Sequence, residues 1–191
     1  MKKCSELKYF DMRLIKHQIF DFPEAKARFE SLCELECDTS TFYSYFYKLS
    51  RFCQHMQRLI IDNTVTKPND GIVKLIEVQE EFKTLIIEDK YHFFTEIQLN
   101  GSNFYDLEIL KIEWNKLNVI SSIVENNGGR LKHILFNSNI VIGYENNSSS
   151  FNENSLKFIR NIYENCPSIE YLSIIFSPSK KHFNEMNLKN Y

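Results

Sequence analysis

The hexapeptide Met56-Gln57-Arg58-Leu59-Ile60-Ile61 is followed 26 residues later by Phe82-Lys83-Thr84-Leu85-Ile86-Ile87, with apolar residues in the same first, fourth and sixth places. Working outward, the same spacing recurs upstream as Leu32/Leu35/Cys37 and Leu7/Phe10/Met12. Downstream it recurs as Leu107/Leu110/Ile112, Leu131/Ile134/Phe136 and Ile169/Leu172/Ile174. Successive first positions lie 25, 24, 26, 25, 24 and 38 residues apart. A period this short is one supersecondary unit, too small to bury its own core, so the units must stack.

Two further positions keep the same register. Three residues before each first apolar place stand Cys4, Phe29, Cys53, Gln79, Phe104, Gly128 and Cys166. Eight residues after it stand Ile15, Ser40, Thr64, Lys90, Asn115, Asn139 and Ser177, mostly small polar residues able to bond a turning backbone. The alternation inside each hexapeptide predicts short strands around 8–12, 33–37, 57–61, 83–87, 108–112, 132–136 and 170–174. Between them, Phe42 to Met56, Gly71 to Phe82, Lys116 to Asn127 and Asn152 to Asn165 carry apolar residues at helical spacing. Gly128-Gly129 and Pro167 are placed to end two of these helices.

The long interval holds a normal unit plus residues 139–151, which reads as a surface insertion. Residues 89–106 carry the weakest helix signal, and Phe93 to Leu99 with Asn100-Gly101 could form an irregular strand and turn.

This unit is similar to the leucine-rich repeat, L-x-x-L-x-L-x-x-N/C, with one strand and one helix per repeat. The expected fold is therefore an α/β leucine-rich-repeat solenoid of about seven repeats. It would be a curved horseshoe, parallel strands on its concave face and helices on its convex face, forming one domain over residues 1–191. The competing expectation is an α/β enzyme domain around one central sheet.

The chain ends at Tyr191, soon after the seventh strand signal and without a polar cap, and on this reading is expected to be a fragment of a longer array, a truncated gene product or a shortened paralogue.

Composition narrows function. Lys plus Arg number 23 against 25 Asp plus Glu, a formal charge of −2, which supplies no global field for nucleic acid or anionic lipid. Five cysteines at uneven spacing point to a reducing compartment rather than a disulfide framework. The basic start runs into polar residues where a signal peptide needs an apolar stretch, and no apolar run reaches the roughly 20 residues that span a bilayer. The expectation is a cytoplasmic or nuclear protein, with the sequons at Asn100, Asn146 and Asn147 unglycosylated.

Reactive constellations are missing from the sequence. Cys33-x-x-x-Cys37 has no second ligand pair nearby, and His17, His55, His92, His133 and His182 show no paired-ligand spacing. Gly128-Gly129-Arg130 lacks the Lys-Ser/Thr of a phosphate-cradling loop. No residue is assigned to catalysis, a cofactor or a metal, and the chain is not expected to be an enzyme.

Strand alternation identifies the side chains expected on the concave face. A middle strip contains Asp11, Glu36, Ile60, Ile86, Lys111, Leu135 and Ser173, in which Ile60, Ile86 and Leu135 would form an apolar patch of the kind that marks a protein contact. A third strip contains Arg13, Asp38, Asp62, Glu88, Glu113, Asn137 and Ile175, with four acids in four consecutive repeats. Asp38, Ile60, Asp62, Ile86, Glu88, Lys111, Glu113 and Leu135 are the candidate partner-binding residues, for a protein target carrying a basic segment.

Asn165-Cys166-Pro167-Ser168-Ile169-Glu170-Tyr171-Leu172-Ser173-Ile174 and Phe52-Cys53-Gln54-His55-Met56-Gln57-Arg58-Leu59-Ile60-Ile61 resemble cysteine-containing leucine-rich repeats of F-box proteins. Phe22 to Cys33, Lys74 to Gln79 and Ile162 to Pro167 look like a large fungal family of F-box-like repeat proteins, and the similarity covers nearly the whole chain. The resemblance implies a substrate-binding repeat region of an SCF-type ubiquitin-ligase receptor. An F-box, which grips the SCF adaptor, precedes the repeats in such proteins, whereas the first repeat here begins by Leu7. Phe22-Pro23-Glu24 is similar to an F-box opening, but the repeat period runs straight through residues 20–60. Adaptor binding is therefore expected only if a longer form supplies an F-box; the alternative expectation is a free-standing or degraded repeat scaffold with no ligase role.

Overall fold

A computed structural model describes residues 6–13, 24–62, 69–89, 94, 104–138 and 148–176. They form β1 (Tyr9–Asp11), α1 (Ala25–Phe29), β2 (Glu34–Asp38), α2 (Tyr43–Phe52), β3 (Arg58–Asp62), α3 (Asp70–Glu77), β4 (Thr84–Glu88), β5 (Ile109–Glu113), α4 (Leu117–Glu125), β6 (His133–Ser138), α5 (Ser148–Asn165) and β7 (Tyr171–Phe176).

The strands make one open sheet in chain order, every neighbouring pair parallel. A doubly wound domain reverses its strand order near the middle; this sheet does not. Register follows the repeat: Leu35, Leu59, Leu85, Leu110, Ile134 and Leu172 are successive partners across six strands. Each predicted strand begins about one residue early, because the backbone just before it is already bonded to the preceding unit. For example, Gln57 N and Arg58 N both donate to Cys33 O.

One face of the sheet is sealed by the helices. Leu35, Cys37, Leu59, Ile61, Leu85, Ile87, Leu110 and Ile112 are fully buried, in one cluster with Phe46 and Leu49 of α2, Ile72 and Leu75 of α3, and Ile120 and Ile123 of α4. The helices are shorter than the apolar spacing predicts: α2 stops at Phe52, α3 at Glu77 and α4 at Glu125. Beyond the helix ends, Cys53, Met56 and Phe82 are buried in the turns that enter the strands.

Asn69 caps α3, its Oδ1 accepting from Gly71 N at 3.0 Å and Ile72 N at 3.3 Å, while its Nδ2 donates to Thr41 O at 3.1 Å and ties the cap to the start of α2. Gly128 and Gly129 have φ of 68° and 86°, past the end of α4 as expected, and α5 ends two residues before Pro167.

The helix expected over Asn152 to Asn165 starts four residues earlier: Ser148–Asn165 is one continuous helix, so residues 148–151 of the expected insertion are its first turn. Residues 139–147 lie outside the described residues. So do Cys4, Ile15, Thr64, Lys90, Asn139 and Ser177, the sequons, His17, His92 and His182, and Phe93 and Thr95 to Gly101.

The shared position before each strand is a hydrogen-bond ladder as well as a packing site. Cys53 Sγ donates to Phe29 O at 3.0 Å, and Gln79 Nε2 donates to Cys53 O at 2.7 Å. Asn127, one residue earlier in its own unit, donates to Phe104 O at 2.7 Å. Each bond joins a repeat to the one before it. Burial pushes the Cys53 thiol up to about 12 and the Cys166 thiol up to about 11; among the described residues the cysteines are all unpaired.

Candidate protein-interaction face

No described helix covers the other face of the sheet, and its residues are half-buried in the alternating pattern of each strand. Register sets them in rows. The middle row runs Asp11, Glu36, Ile60, Ile86, Lys111, Leu135, Ser173, each the Cα partner of the next. Ile60 and Ile86 are thus direct neighbours, while Lys111 stands between Ile86 and Leu135. The lysine stem is apolar and its ammonium leans away to Glu113, so the apolar strip is interrupted by charge without being broken by a gap.

Sequence reasoning missed Ile109, which sits beside Thr84 and His133 in the adjoining row and is half-buried like Ile86. The alternation that locates Ile86 locates Ile109 equally well. It escapes a reading of the middle strip because it lies two residues away, in a row of mixed chemistry.

The four acids of the third row are two pairs rather than one ladder. Asp38 pairs with Asp62, and Glu88 with Glu113, but β3 and β4 end their registered pairing at Ile61 and Ile87. Each pair has its own cation. Arg13 Nη1 lies 3.1 Å from Asp62 Oδ2 and 2.7 Å from Glu36 Oε1, with Nη2 2.8 Å from Asp11 Oδ2. Lys111 Nζ lies 2.7 Å from Glu113 Oε1 and 3.8 Å from Glu88 Oε1. Asp38 shapes the turn into α2, its Oδ1 accepting from Ser40 N at 2.9 Å, Ser40 Oγ at 2.6 Å and Thr41 N at 3.1 Å. The acids are therefore individually partnered, and self-repulsion along the row is relieved within the chain.

The hydrogen bond from Arg13 holds the Asp11 carboxyl below its ordinary value, and Asp11 together with Asp62 raises the guanidinium further. The hydrogen bond from Tyr9 to Glu36, 2.8 Å long, raises the phenol.

Charge is nonetheless unbalanced across the face. Asp11, Glu34, Glu36, Asp38, Asp62, Glu88 and Glu113 outnumber Arg13, Arg58 and Lys111, and the acids concentrate on β1 to β3. Toward the far edge the rows turn neutral, with His133, Leu135, Asn137, Tyr171, Ser173 and Ile175.

Asn137 Oδ1 is the buried side-chain acceptor without a hydrogen-bond partner among the described residues. Next to it in the row of turns, Trp114 adopts φ 64° and its N–H donates to Asn137 O at 2.7 Å. The equivalent places in other units hold the buried, small polar residues Thr39, Asp89 and Ser138. An indole is too large for that slot. It stays half-buried at the rim, and Asn115 turns inward instead, donating to Asp89 Oδ2 at 2.7 Å.

Among the described residues no three His, Cys, Asp or Glu side chains are grouped to hold a metal, and no helix is long and apolar enough to cross a membrane. No family model matches the chain, and neither curated proteins nor solved structures provide a match to it.

Proposed function

We propose that the chain is a leucine-rich-repeat module whose open sheet face, concave in such solenoids, binds a protein target in a cytoplasmic or nuclear setting. The observation that carries this reading is the row Ile60, Ile86, Leu135, with Ile109 beside it: branched apolar side chains left half-exposed on a face that no described helix covers. The surplus of acids on β1 to β3 favours a target with a basic segment at that end and apolar side chains toward β5 and β6. Polyanions are repelled by the same surplus.

The resemblance to F-box-like repeat proteins supports assigning the module to target recognition in an SCF-type ubiquitin ligase. The alternative is a free-standing scaffold with no ligase role. No catalytic role, cofactor or metal is proposed. A pull-down with the SCF adaptor separates the two biological settings, and this chain alone is expected not to bind it. Affinity capture compared between wild type and Ile86→Asp tests the face itself: a genuine target is lost from the variant while far-UV circular dichroism stays the same. An unchanged set of captured proteins would count against the reading.

A further inference from the structure

Asn127 follows α4 and is fully buried, with its carboxamide bonded three ways to backbone. Nδ2 donates to Phe104 O at 2.7 Å and Leu107 O at 2.8 Å, while Oδ1 accepts from Leu131 N at 2.8 Å. The two carbonyls lie before β5 and the N–H before β6, so one side chain clamps neighbouring repeats together.

The next residue is Gly128, which is exposed and has φ 68°. Among the described residues its N–H makes no hydrogen bond. With no Cβ to block approach, a glycine nitrogen is the one best able to attack the side-chain amide of an asparagine before it. Here that nucleophile is solvated and free, whereas its target is locked in the core. Nδ2 departs as ammonia only after gaining a proton, and two carbonyl acceptors supply none.

We propose that Asn127-Gly128 is a deamidation site held closed by the fold, and that its reaction makes an opening of this repeat irreversible. Once the turn after α4 parts from the turn before β5, Gly128 N attacks Asn127 Cγ and gives its proton to solvent. The Cγ–Nδ2 bond breaks, ammonia leaves and a cyclic imide remains. Water then opens the imide at either carbonyl, giving aspartate or isoaspartate. One water enters for each ammonia lost, and no oxidant, reductant or enzyme is needed.

Neither product can return to the clamp. A carboxylate has no hydrogen to donate, so it would set an oxygen against Phe104 O and Leu107 O, buried and unpaired. Its charge would also sit at the C-terminal end of α4, where the helix dipole is already negative. Isoaspartate lengthens the main chain just before the two glycines whose positive φ values shape the turn. β5 and β6 thereby lose the anchor between the turns that lead into them.

Peptide mapping for aspartate and isoaspartate tests the lock, on the full chain held in mildly alkaline buffer with and without urea. In urea Asn127-Gly128 should react about as fast as Asn100-Gly101, the other such dipeptide of the chain. In the native chain Asn127 should react at least about thirtyfold more slowly than in urea, because reaction waits on local opening. Leu107→Ala empties a fully buried site in the turn that carries one acceptor, and should speed the native reaction while leaving the urea rate unchanged. Asn127→Asp should melt at least about 5 °C below wild type or lose its cooperative melt. A smaller protection factor, a native rate unmoved by Leu107→Ala, or an Asn127→Asp chain that melts with wild type would each overturn the proposal.

Discussion

Gln79 Nε2 donates to the carbonyl of Cys53 at 2.7 Å, joining one repeat to the unit before it. The same side chain donates to Leu75 O at 2.8 Å and accepts from Met56 N at 2.9 Å, all within the core. One buried amide therefore satisfies backbone groups at the end of α3, after α2 and before β3, where turns enter the strands and no ladder partner is at hand.

Gln79→Leu keeps most of the volume and removes all three bonds. Leaving Met56 N and Cys53 O without partners should cost about 3 kcal/mol, at roughly 1 to 3 kcal/mol for each orphaned buried group. Urea melts of the two proteins measure it. A loss below about 0.5 kcal/mol, the range of an ordinary surface change, would show that water or backbone shifts satisfy these groups.

Gly71→Ala should destabilise the chain although alanine is the better helix former by roughly 1 kcal/mol. A Cβ at Gly71 would stand 2.6 Å from Tyr43 O and 2.9 Å from Phe46 Cβ, so α2 and α3 would have to separate. The expected net cost is about 1 to 3 kcal/mol. A raised melting temperature would mean the two helices part without penalty.

The repeat spacing made strand number, register and inward-facing residues legible, because Leu-x-Ile or Leu-x-Cys alternation fixes which side chains a strand must hide. Gly128-Gly129 and Pro167 marked real helix ends for local steric reasons. Other features depended on packing across repeats. Gly71 read as the start of a helical segment, but its meaning is the close approach of α3 to α2. Cys53 and Gln79 read as a shared repeat position, and only the neighbouring unit reveals the carbonyls they bind. The acid row was visible as residues, whereas the pairing of Arg13 with Asp62 bridges two strand spacings that no local pattern encodes.

Acid should remove a small part of the stability through Glu108. The hydrogen bond from Lys132 Nζ, 2.8 Å from Glu108 Oε2, holds that carboxyl below its ordinary value and raises the ammonium of Lys132. A carboxyl depressed by folding contributes stability that is present above its unfolded value, about pH 4.3, and lost as pH falls through the lower folded value. The raised ammonium contributes in the opposite sense, present below about pH 10.4 and lost above it. Lys132→Met should therefore melt slightly below wild type at neutral pH and match it in strong acid. A gap that persists unchanged in strong acid would assign the effect to packing.

Reversing charge on the acid row, Asp62→Lys with Glu88→Lys, places new ammonium groups beside Arg13 and Lys111. Association with a captured basic target should slow and lose much of its salt dependence, with dissociation less affected. Stopped-flow association at two ionic strengths checks this. Unchanged rates would make these side chains ordinary solvated surface.

The most direct test of the binding face is a photo-cross-linking amino acid placed in cells at Ile86, on the open face, and in parallel at Glu125, exposed at the end of α4. A discrete protein adduct is expected from position 86 and none from position 125. Adducts from position 125 with nothing from position 86 would place the binding surface on the helices and contradict the role given to the open face.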